Sequence, residues 1–405
     1  MQKRMKHGKY PHFCDVCPSK PRKTWLIANQ CNSYMKTKQI LPNILLLFLS
    51  ITVSLFIIEI VVRQMNHEQF VKNSLYVISD YSIFVYKPNT HIRFEREEFT
   101  TDVKINSKGI RDYGYDYEKR EDVKRIEMFG DSFIAAFQVP LEKSVSKKLE
   151  NKLNKNSKEN FTYEVLNMGL SGAGPTPQVL LLEKEGIKYN PDIVILNLYI
   201  GNDFVKVDFG VSGVIPKEIF ENNNNLENVN FEVTKVQMLK NFIFRNYFTY
   251  SYLKGTLDTV KSKGAYEAYP ELNIYKEQYP EYVKKNLEKL KIILKHLKSY
   301  TDEKEIKLLV VLIPTKEQAD ERKFSEMMDK YQLDKSQLEI KKAQKIFLEF
   351  GEKNDITMLD MLPGFSKRNK NNTFYFEIDG HWNERGHELA SNLIYKKLIN
   401  GGMVR

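Results

Sequence analysis

The sequence predicts an α/β protein: a three-layer α/β/α domain with a mostly parallel five-stranded sheet, preceded by one transmembrane helix. Three observations predict this. A largely apolar run, with Glu59 its one charge, extends from Ile40 to Val62. From Lys124 onward, short strand-like runs alternate with longer helix-like runs. The short runs, such as Ile193-Val-Ile-Leu, are apolar without alternation, as parallel strands covered on both faces are.

The first 39 residues carry nine Lys or Arg and one acid, without apolar periodicity, and are expected to form a basic, disordered cytoplasmic tail. Cys14-Asp-Val-Cys17, with Cys31, His7 and His12, lacks the second half of a four-ligand metal set. Met35-Lys-Thr-Lys resembles a translation start, which makes residues 1–34 a candidate upstream extension. The apolar segment 40–62 is long enough, at about 1.5 Å per residue, to cross a bilayer of about 30 Å. Its apolar character on every face argues against a soluble helix. The basic residues before it place the amino terminus in the cytoplasm and the remaining chain outside. Localisation is therefore expected at the cell membrane, as a single-pass protein with an extracytoplasmic domain.

Beyond the anchor the chain contains no cysteine, so it cannot hold a disulfide. At 405 residues with 42% hydrophobic and 12% aromatic residues, it can bury one large core with insertions. The net charge of +10 is spread along helix-like stretches that also carry acids, which speaks against nucleic acid as a partner. Residues 63–123 are polar and aromatic, with strand-like runs at Tyr81 to Tyr86 and Thr101 to Ile105 and a turn from Asn106 to Asp112. They read as a strand-rich lead-in to a domain spanning 124–401.

Within that domain, strands are expected at Arg125 to Phe129, Tyr163 to Met168, Asp192 to Ile200, Ile306 to Ile313 and Ile356 to Met361. Helices are expected at Ser144 to Leu153, Thr176 to Tyr189, Glu281 to Ser299, Ser336 to Glu352 and Glu384 to Ile399. The alternation stops between Phe204 and Tyr279, an insertion with an Asn-rich turn at Asn222 to Asn225 and an aromatic run starting at Asn241. It leaves the sheet beside Asn202, so a lid or substrate wall and simple packing onto the core both stay open.

Four stretches converge on the carboxyl edge of the sheet, where open α/β folds bind ligands. Gly130-Asp131-Ser132 ends the first strand, Gly130 allowing a tight turn that throws the hydroxyl outward. Asn167-Met-Gly-Leu-Ser-Gly172 follows the second strand, Gly201-Asn202-Asp203 follows the third, and Asp379-Gly-His381-Trp382 precedes the last helix. Asp131 and Asp203 are expected to hold loops through side-chain to backbone hydrogen bonds. Asp379, His381, Glu384 and His387 lack the second cluster that a metal site would need, so neither metal nor cofactor is expected.

This set resembles the SGNH, or GDSL, hydrolase family over roughly Lys124 to Leu398. The resemblance implies a flavodoxin-like fold, Ser132 as nucleophile, His381 as base and Asp379 as its orienting acid. It also implies an oxyanion hole of the Ser132 and Gly172 N–H groups and the Asn202 amide, with Asp131 and Gly201 in support. The family's usual last block has two residues between Asp and His, whereas only Gly380 intervenes here. Asp-x-His-Trp is similar to SGNH-like proteins of exopolysaccharide acetylation, such as the alginate acetyltransferases, which moves the expectation towards acyl transfer.

The expected function is a membrane-anchored serine esterase or O-acyltransferase acting on acyl, foremost acetyl, groups of extracytoplasmic carbohydrate. Its expected partners are the acylated substrate, the cytoplasmic membrane and envelope polysaccharide machinery. Two alternatives stay open: a lipid esterase of lysophospholipase type, and a non-catalytic scaffold or carbohydrate-binding component of an envelope assembly.

Overall fold

A computed structural model describes residues 24–65, 75–79, 83–156, 161–208, 269–366 and 374–404. The expectations for residues 1–23 with Cys14 and Cys17, for the strand start at Tyr81, for the Asn-rich turn and for the aromatic run from Asn241 lie outside these residues. The chain divides into two compact units, Met1–Met65 and Asn66–Arg405.

In the first unit helix α1 runs over Thr24–Met65 with Pro42 inside it. Within it, Pro42–Val62 has a mean hydropathy of 2.8 over its most apolar window and is long and apolar enough to cross a membrane. The expected disorder up to residue 39 does not hold from Thr24 onward. Once the apolar segment is helical, adding residues at its end costs far less than nucleating a new turn.

The second unit opens with two antiparallel ribbons, β1 (Tyr76–Ile78) with β2 (Phe84–Tyr86) and β3 (His91–Glu95) with β4 (Thr100–Lys104). Strands β1 and β3 were not evident in the sequence, because runs of three to five residues in polar surroundings carry little periodicity. In β3 and β4, exposed and buried residues alternate, so each ribbon lays one face on the domain behind it.

The main sheet contains β5 (Val123–Gly130), β6 (Thr162–Gly169), β7 (Ile193–Tyr199), β8 (Lys307–Ile313) and β9 (Thr357–Asp360). Its order is β6-β5-β7-β8-β9 and every pairing is parallel. All five expected strands are present. Chain direction across the sheet reverses at β5, which pairs with both β6 and β7, and this switch point opens the crevice in which open α/β sheets bind ligands.

Side chains alternate between two buried cores. Ile193 and Ile195 of β7 enter one core with Val145, Leu149 and Leu153 of α3 (Val145–Asn156) and Ile394 and Leu398 of α10 (Glu384–Asn400). Val194, Leu196 and Leu198 enter the other, under α4 (Pro175–Lys184), α5 (Glu281–Glu303) and α8 (Lys342–Lys353). In α5 the buried Val283, Leu287, Leu290, Leu294 and Leu297 recur every three or four residues, the spacing of one helical face.

The remaining helices among the described residues are α2 (Ser132–Ala135), α6 (Lys316–Ala319), α7 (Glu321–Tyr331) and α9 (Leu362–Ser366). Helix α7 was not expected, since Met327 is its one fully buried residue, although Asp320 caps it through the Arg322 and Lys323 N–H groups. The helix expected from Ser336 begins instead at Lys342. Asp334 closes a short turn at Lys335–Gln337, and the following backbone pairs with residues 275–277, through Glu339 N–H to Tyr275 O and Glu277 N–H to Gln337 O.

Helix α2 packs very tightly against the ends of β5 and β6. A Cβ on Gly169 would stand 2.2 Å from the Ala135 nitrogen, and one on Gly130 would stand 2.4 Å from Cγ1 of Ile134. Gly130 is therefore required by close approach, not by a left-handed turn: its φ is not positive. Gly169→Ala should destabilise the protein by about 1–3 kcal/mol, because the opposing atoms are backbone and cannot rotate away. A denaturant midpoint lowered at unchanged m-value in the detergent-solubilised chain would show it, and an unchanged midpoint would contradict this packing.

Candidate active site

Ser132 stands directly beyond β5, at the start of α2. Asp131 precedes it, fully buried, and caps the short helix by accepting the Phe133 N–H at 2.9 Å. The chain leaves α2 through Ala136 in the left-handed region, φ 57°. Beneath this turn lies Arg111, buried, donating to the carbonyls of Ala135 (2.7 Å), Ala136 (2.6 Å) and Val139 (2.7 Å). Burial pulls the guanidinium down to about 10, which leaves it protonated at neutral pH.

His381 reaches Ser132 from the other end of the chain. Its Nε2 is 2.7 Å from Ser132 Oγ, and its Nδ1 is 2.6 Å from Asp379 Oδ1. The single intervening residue suffices because Gly380 adopts a left-handed φ of 81°, folding the turn back on itself. Burial acts to raise the Asp379 carboxyl, but hydrogen bonding and charge from His381 outweigh it and leave the carboxyl below its ordinary range. The imidazole lies against Phe133, ring centres 4.9 Å apart, and Phe133 meets the edge of Trp382 at 5.0 Å. Trp382 is fully buried and stacks on Phe365 at 5.4 Å, so the residue after the histidine anchors the turn in the core.

The other two blocks complete the rim. Gly172 has a left-handed φ of 80° in the loop after β6. That loop is held by tyrosines of the first ribbon: Tyr86 Oη accepts the Ser171 N–H at 2.6 Å, and Tyr76 Oη donates to the Ser171 carbonyl at 2.9 Å. After β7, Asp203 accepts the Tyr199 N–H at 2.8 Å, and the Asn202 amide donates to Asp131 Oδ2 at 3.1 Å. Gly201 leaves no room for a Cβ, which would lie 2.5 Å from the Tyr199 ring. Asp131 and Asp203 thus each accept a backbone N–H beside the end of a strand. An amide nitrogen carries two protons, so Asn202 keeps a second N–H beyond the one engaged by Asp131.

The structure therefore brings Ser132, His381 and Asp379 into one hydrogen-bonded chain and joins Asn202 to Asp131 beside it. Glu384 and His387 do not join them: Glu384 faces Lys143 at 3.5 Å, and His387 is buried with its ring edge-on to Trp382. Burial drives the His387 imidazole down to about 3, so it stays neutral. Among the described residues, no three His, Cys, Asp or Glu side chains are grouped to hold a metal ion. Arg111, Phe133 and the two tyrosines were not read as site residues. Phe133, adjacent to the candidate nucleophile, carried the one local signal.

With this geometry in place, similarity to known proteins takes on meaning. Residues 275–401 match the family model described as ALGX, SGNH hydrolase-like domain, acetyltransferase AlgX. The SGNH resemblance read from the motifs is thus found again in the segment that carries Asp379 and His381. No curated protein matches the chain. Among solved structures, a two-domain esterase active on acetylated mannans aligns over 69% of this chain at 13% identity and TM-score 0.36. The chain spans about half of that protein's length, the alignment covering 49% of it. A lipase/acylhydrolase from Enterococcus faecalis aligns over 70% of this chain and 97% of its own, at 15% identity and TM-score 0.37. An acetylxylan esterase from Geobacillus stearothermophilus, as a catalytic mutant, aligns over 68% and 94% at 12% identity and TM-score 0.36.

The two buried carboxylates make a pH prediction. Burial, and the nearby Asp131, push the Asp203 carboxyl well above its ordinary range, and burial likewise raises Asp131. A carboxyl raised in the folded state contributes stability that is fully present below its unfolded value of about 4 and is lost as pH rises through the folded value. Asp203→Asn keeps an acceptor for the Tyr199 N–H and removes that loss. Its melting temperature relative to the native chain should therefore climb as pH is raised above about 4. A difference that stays flat or falls with pH would show that Asp203 is ordinarily ionised.

Proposed function

We propose that this protein is a membrane-anchored serine esterase or O-acyltransferase, acting on ester-linked acyl groups, foremost acetyl, of carbohydrate outside the cytoplasmic membrane. The observation that carries the reading is the chain Ser132 Oγ, His381 Nε2, His381 Nδ1, Asp379 Oδ1, with separations of 2.7 Å and 2.6 Å at its two hydrogen bonds. A serine hydroxyl is a weak nucleophile until a base takes its proton, and the His381 imidazole is placed to do so. Asp379 holds the proton on Nδ1 and stabilises the imidazolium that forms.

Ser132 Oγ attacks the acyl carbonyl as its proton passes to His381. The negative oxygen that develops is met by the N–H groups of Ser132 and Gly172 and by the second N–H of Asn202, each such donor contributing roughly 3 kcal/mol. Collapse breaks the ester bond, and His381 returns the proton to the departing alcohol. The acyl-Ser132 intermediate is then attacked by water or by a sugar hydroxyl, with His381 again taking the proton. Which acceptor enters separates esterase from transferase.

The acetyl part of this reading draws on the match to an acetyltransferase family model over residues 275–401, and the carbohydrate part on the resemblance of Asp379-Gly-His381-Trp382 to SGNH-like proteins of exopolysaccharide acetylation. Placement outside the membrane draws on the Pro42–Val62 segment and on the basic residues before it. A polysaccharide-modifying assembly in the envelope would supply the acceptor.

A fluorophosphonate probe should label the detergent-solubilised chain and should fail to label Ser132→Ala. No labelling of the native chain, in a folded sample beside a reactive control esterase, would sink the catalytic reading in favour of a scaffold or binding role. Asp379→Asn should lower kcat on p-nitrophenyl acetate by about 10⁴-fold, the scale known for a triad whose acid is neutralised. His381→Ala should remove nearly all turnover. With oligosaccharide added, acetyl appearing on the sugar identifies a transferase; rapid release to water without it identifies an esterase.

A further inference from the structure

The turn that carries Asp379 has little packing of its own. Between Phe376 and Trp382 no residue is buried, and Ile378 at its tip is 68% exposed. Inside the turn, the Phe376 N–H donates to the His381 carbonyl at 2.8 Å and the Gly380 N–H to the Phe376 carbonyl at 3.2 Å. The N–H groups of Glu377, Ile378 and Asp379 point away from these contacts, towards the lead-in. There the β3–β4 hairpin turns through residues 96–99, closed by the Arg96 N–H to the Phe99 carbonyl at 2.8 Å.

Glu98, in that hairpin turn, receives all three N–H groups. Its Oε1 accepts from Glu377 at 2.5 Å, and its Oε2 accepts from Ile378 at 2.9 Å and from Asp379 at 2.7 Å. Three successive amides converging on one carboxylate form an anion nest, and hydrogen bonds to a charged acceptor are among the strong ones. The hairpin tip is seated by Phe99 against Phe376, ring centres 5.1 Å apart, and by Phe94 against Phe137 at 5.3 Å. On the other side Lys316 donates to the Glu377 carbonyl at 2.7 Å. The turn is thus clamped between a carboxylate that takes its N–H groups and an ammonium that takes a carbonyl.

We propose that Glu98 is a positioning residue for catalysis: by fixing the peptides from 377 to 379 it holds Asp379 where its carboxylate meets His381. It touches no reacting atom. The inference rests on the serine-triad reading above. It goes beyond it by making the lead-in part of the catalytic machinery.

Glu98→Ala removes all three acceptors. Glu98→Gln removes the same charge but keeps one oxygen able to receive the Ile378 and Asp379 N–H groups. Comparing the two separates hydrogen bonding from charge. In the full chain in detergent, with p-nitrophenyl acetate, Glu98→Ala should lower kcat by roughly 10- to 100-fold, the scale of a misplacement of about 1 Å. KM should change by less than about threefold, since uniform binding is untouched. Glu98→Gln should fall between Glu98→Ala and the native chain. The acid limb of the pH–rate profile should move to lower pH in Glu98→Ala and less in Glu98→Gln, because a displaced Asp379 favours the imidazolium less.

A loss of folded protein alone would scale the rates without moving that limb. The proposal is overturned if Glu98→Ala keeps the native kcat and acid limb, if its loss merely follows the folded fraction, or if Glu98→Ala and Glu98→Gln are indistinguishable. Fluorophosphonate labelling keeps the two readings apart. A native chain that does not label refutes the triad; a native chain and a Glu98→Ala variant that label equally fast refute the role of Glu98 alone. NMR titration of the His381 imidazole reads the same displacement without turnover.

Discussion

At the carboxyl edge of a parallel sheet the ladder of backbone hydrogen bonds ends, and each loop that leaves it presents N–H and C=O groups that need new partners. Here those partners come largely from the lead-in. Arg111 collects three carbonyls around the turn after Ser132. Tyr86 and Tyr76 take the N–H and carbonyl of Ser171 in the glycine loop. Glu98 takes three N–H groups of the turn that carries Asp379. Arg111 and Glu98 match their loops in sign: a cation where carbonyls converge, an anion where amides do. The ribbons that looked like an accessory before the domain are what hold its edge in shape.

The join is buried as well as polar. Asp112, next to Arg111, accepts the Asn167 N–H at 2.6 Å on β6 and pairs with Lys147 of α3 at 2.9 Å, both side chains fully buried. Lys147 also donates to Tyr115 Oη at 2.7 Å and to the Val165 carbonyl at 2.8 Å. A buried charge stripped of its partner is costly, so neither side of this junction is stable in its present form without the other. A boundary drawn at residue 123 from composition runs through these contacts, whereas the compact unit extends from Asn66 to Arg405.

Much of the architecture was legible in the sequence because parallel strands buried on both faces are continuous apolar runs, and the five strands are of that kind. Helix α5 was legible from its repeat of buried leucines. The four motif blocks were legible because each follows a strand-like run or precedes a helix-like one. The supports were not. Glu98 and its partners are 279 to 281 residues apart in the chain, and a carboxylate that binds backbone amides leaves no mark on the sequence of the loop it binds. Arg111 read as one more polar residue in a turn. Helix α7 escaped because it buries one residue and so lacks an apolar stripe.

The short Asp-x-His spacing shows how a sequence departure can move a constraint without removing it. With two intervening residues, a turn has freedom to bring carboxylate and imidazole together. With one, the backbone must reverse at that residue, and Gly380 does so at a φ of 81°, a conformation costing an L side chain about 1 kcal/mol or more. The tighter turn also has fewer side chains of its own to bury. Its fixed points are therefore Trp382 in the core on one side and the Glu98 carboxylate on the other. The turn is held in shape by glycine geometry and by contacts from the β3–β4 hairpin, so the conformation of the last block depends on the lead-in as well as on its own residues.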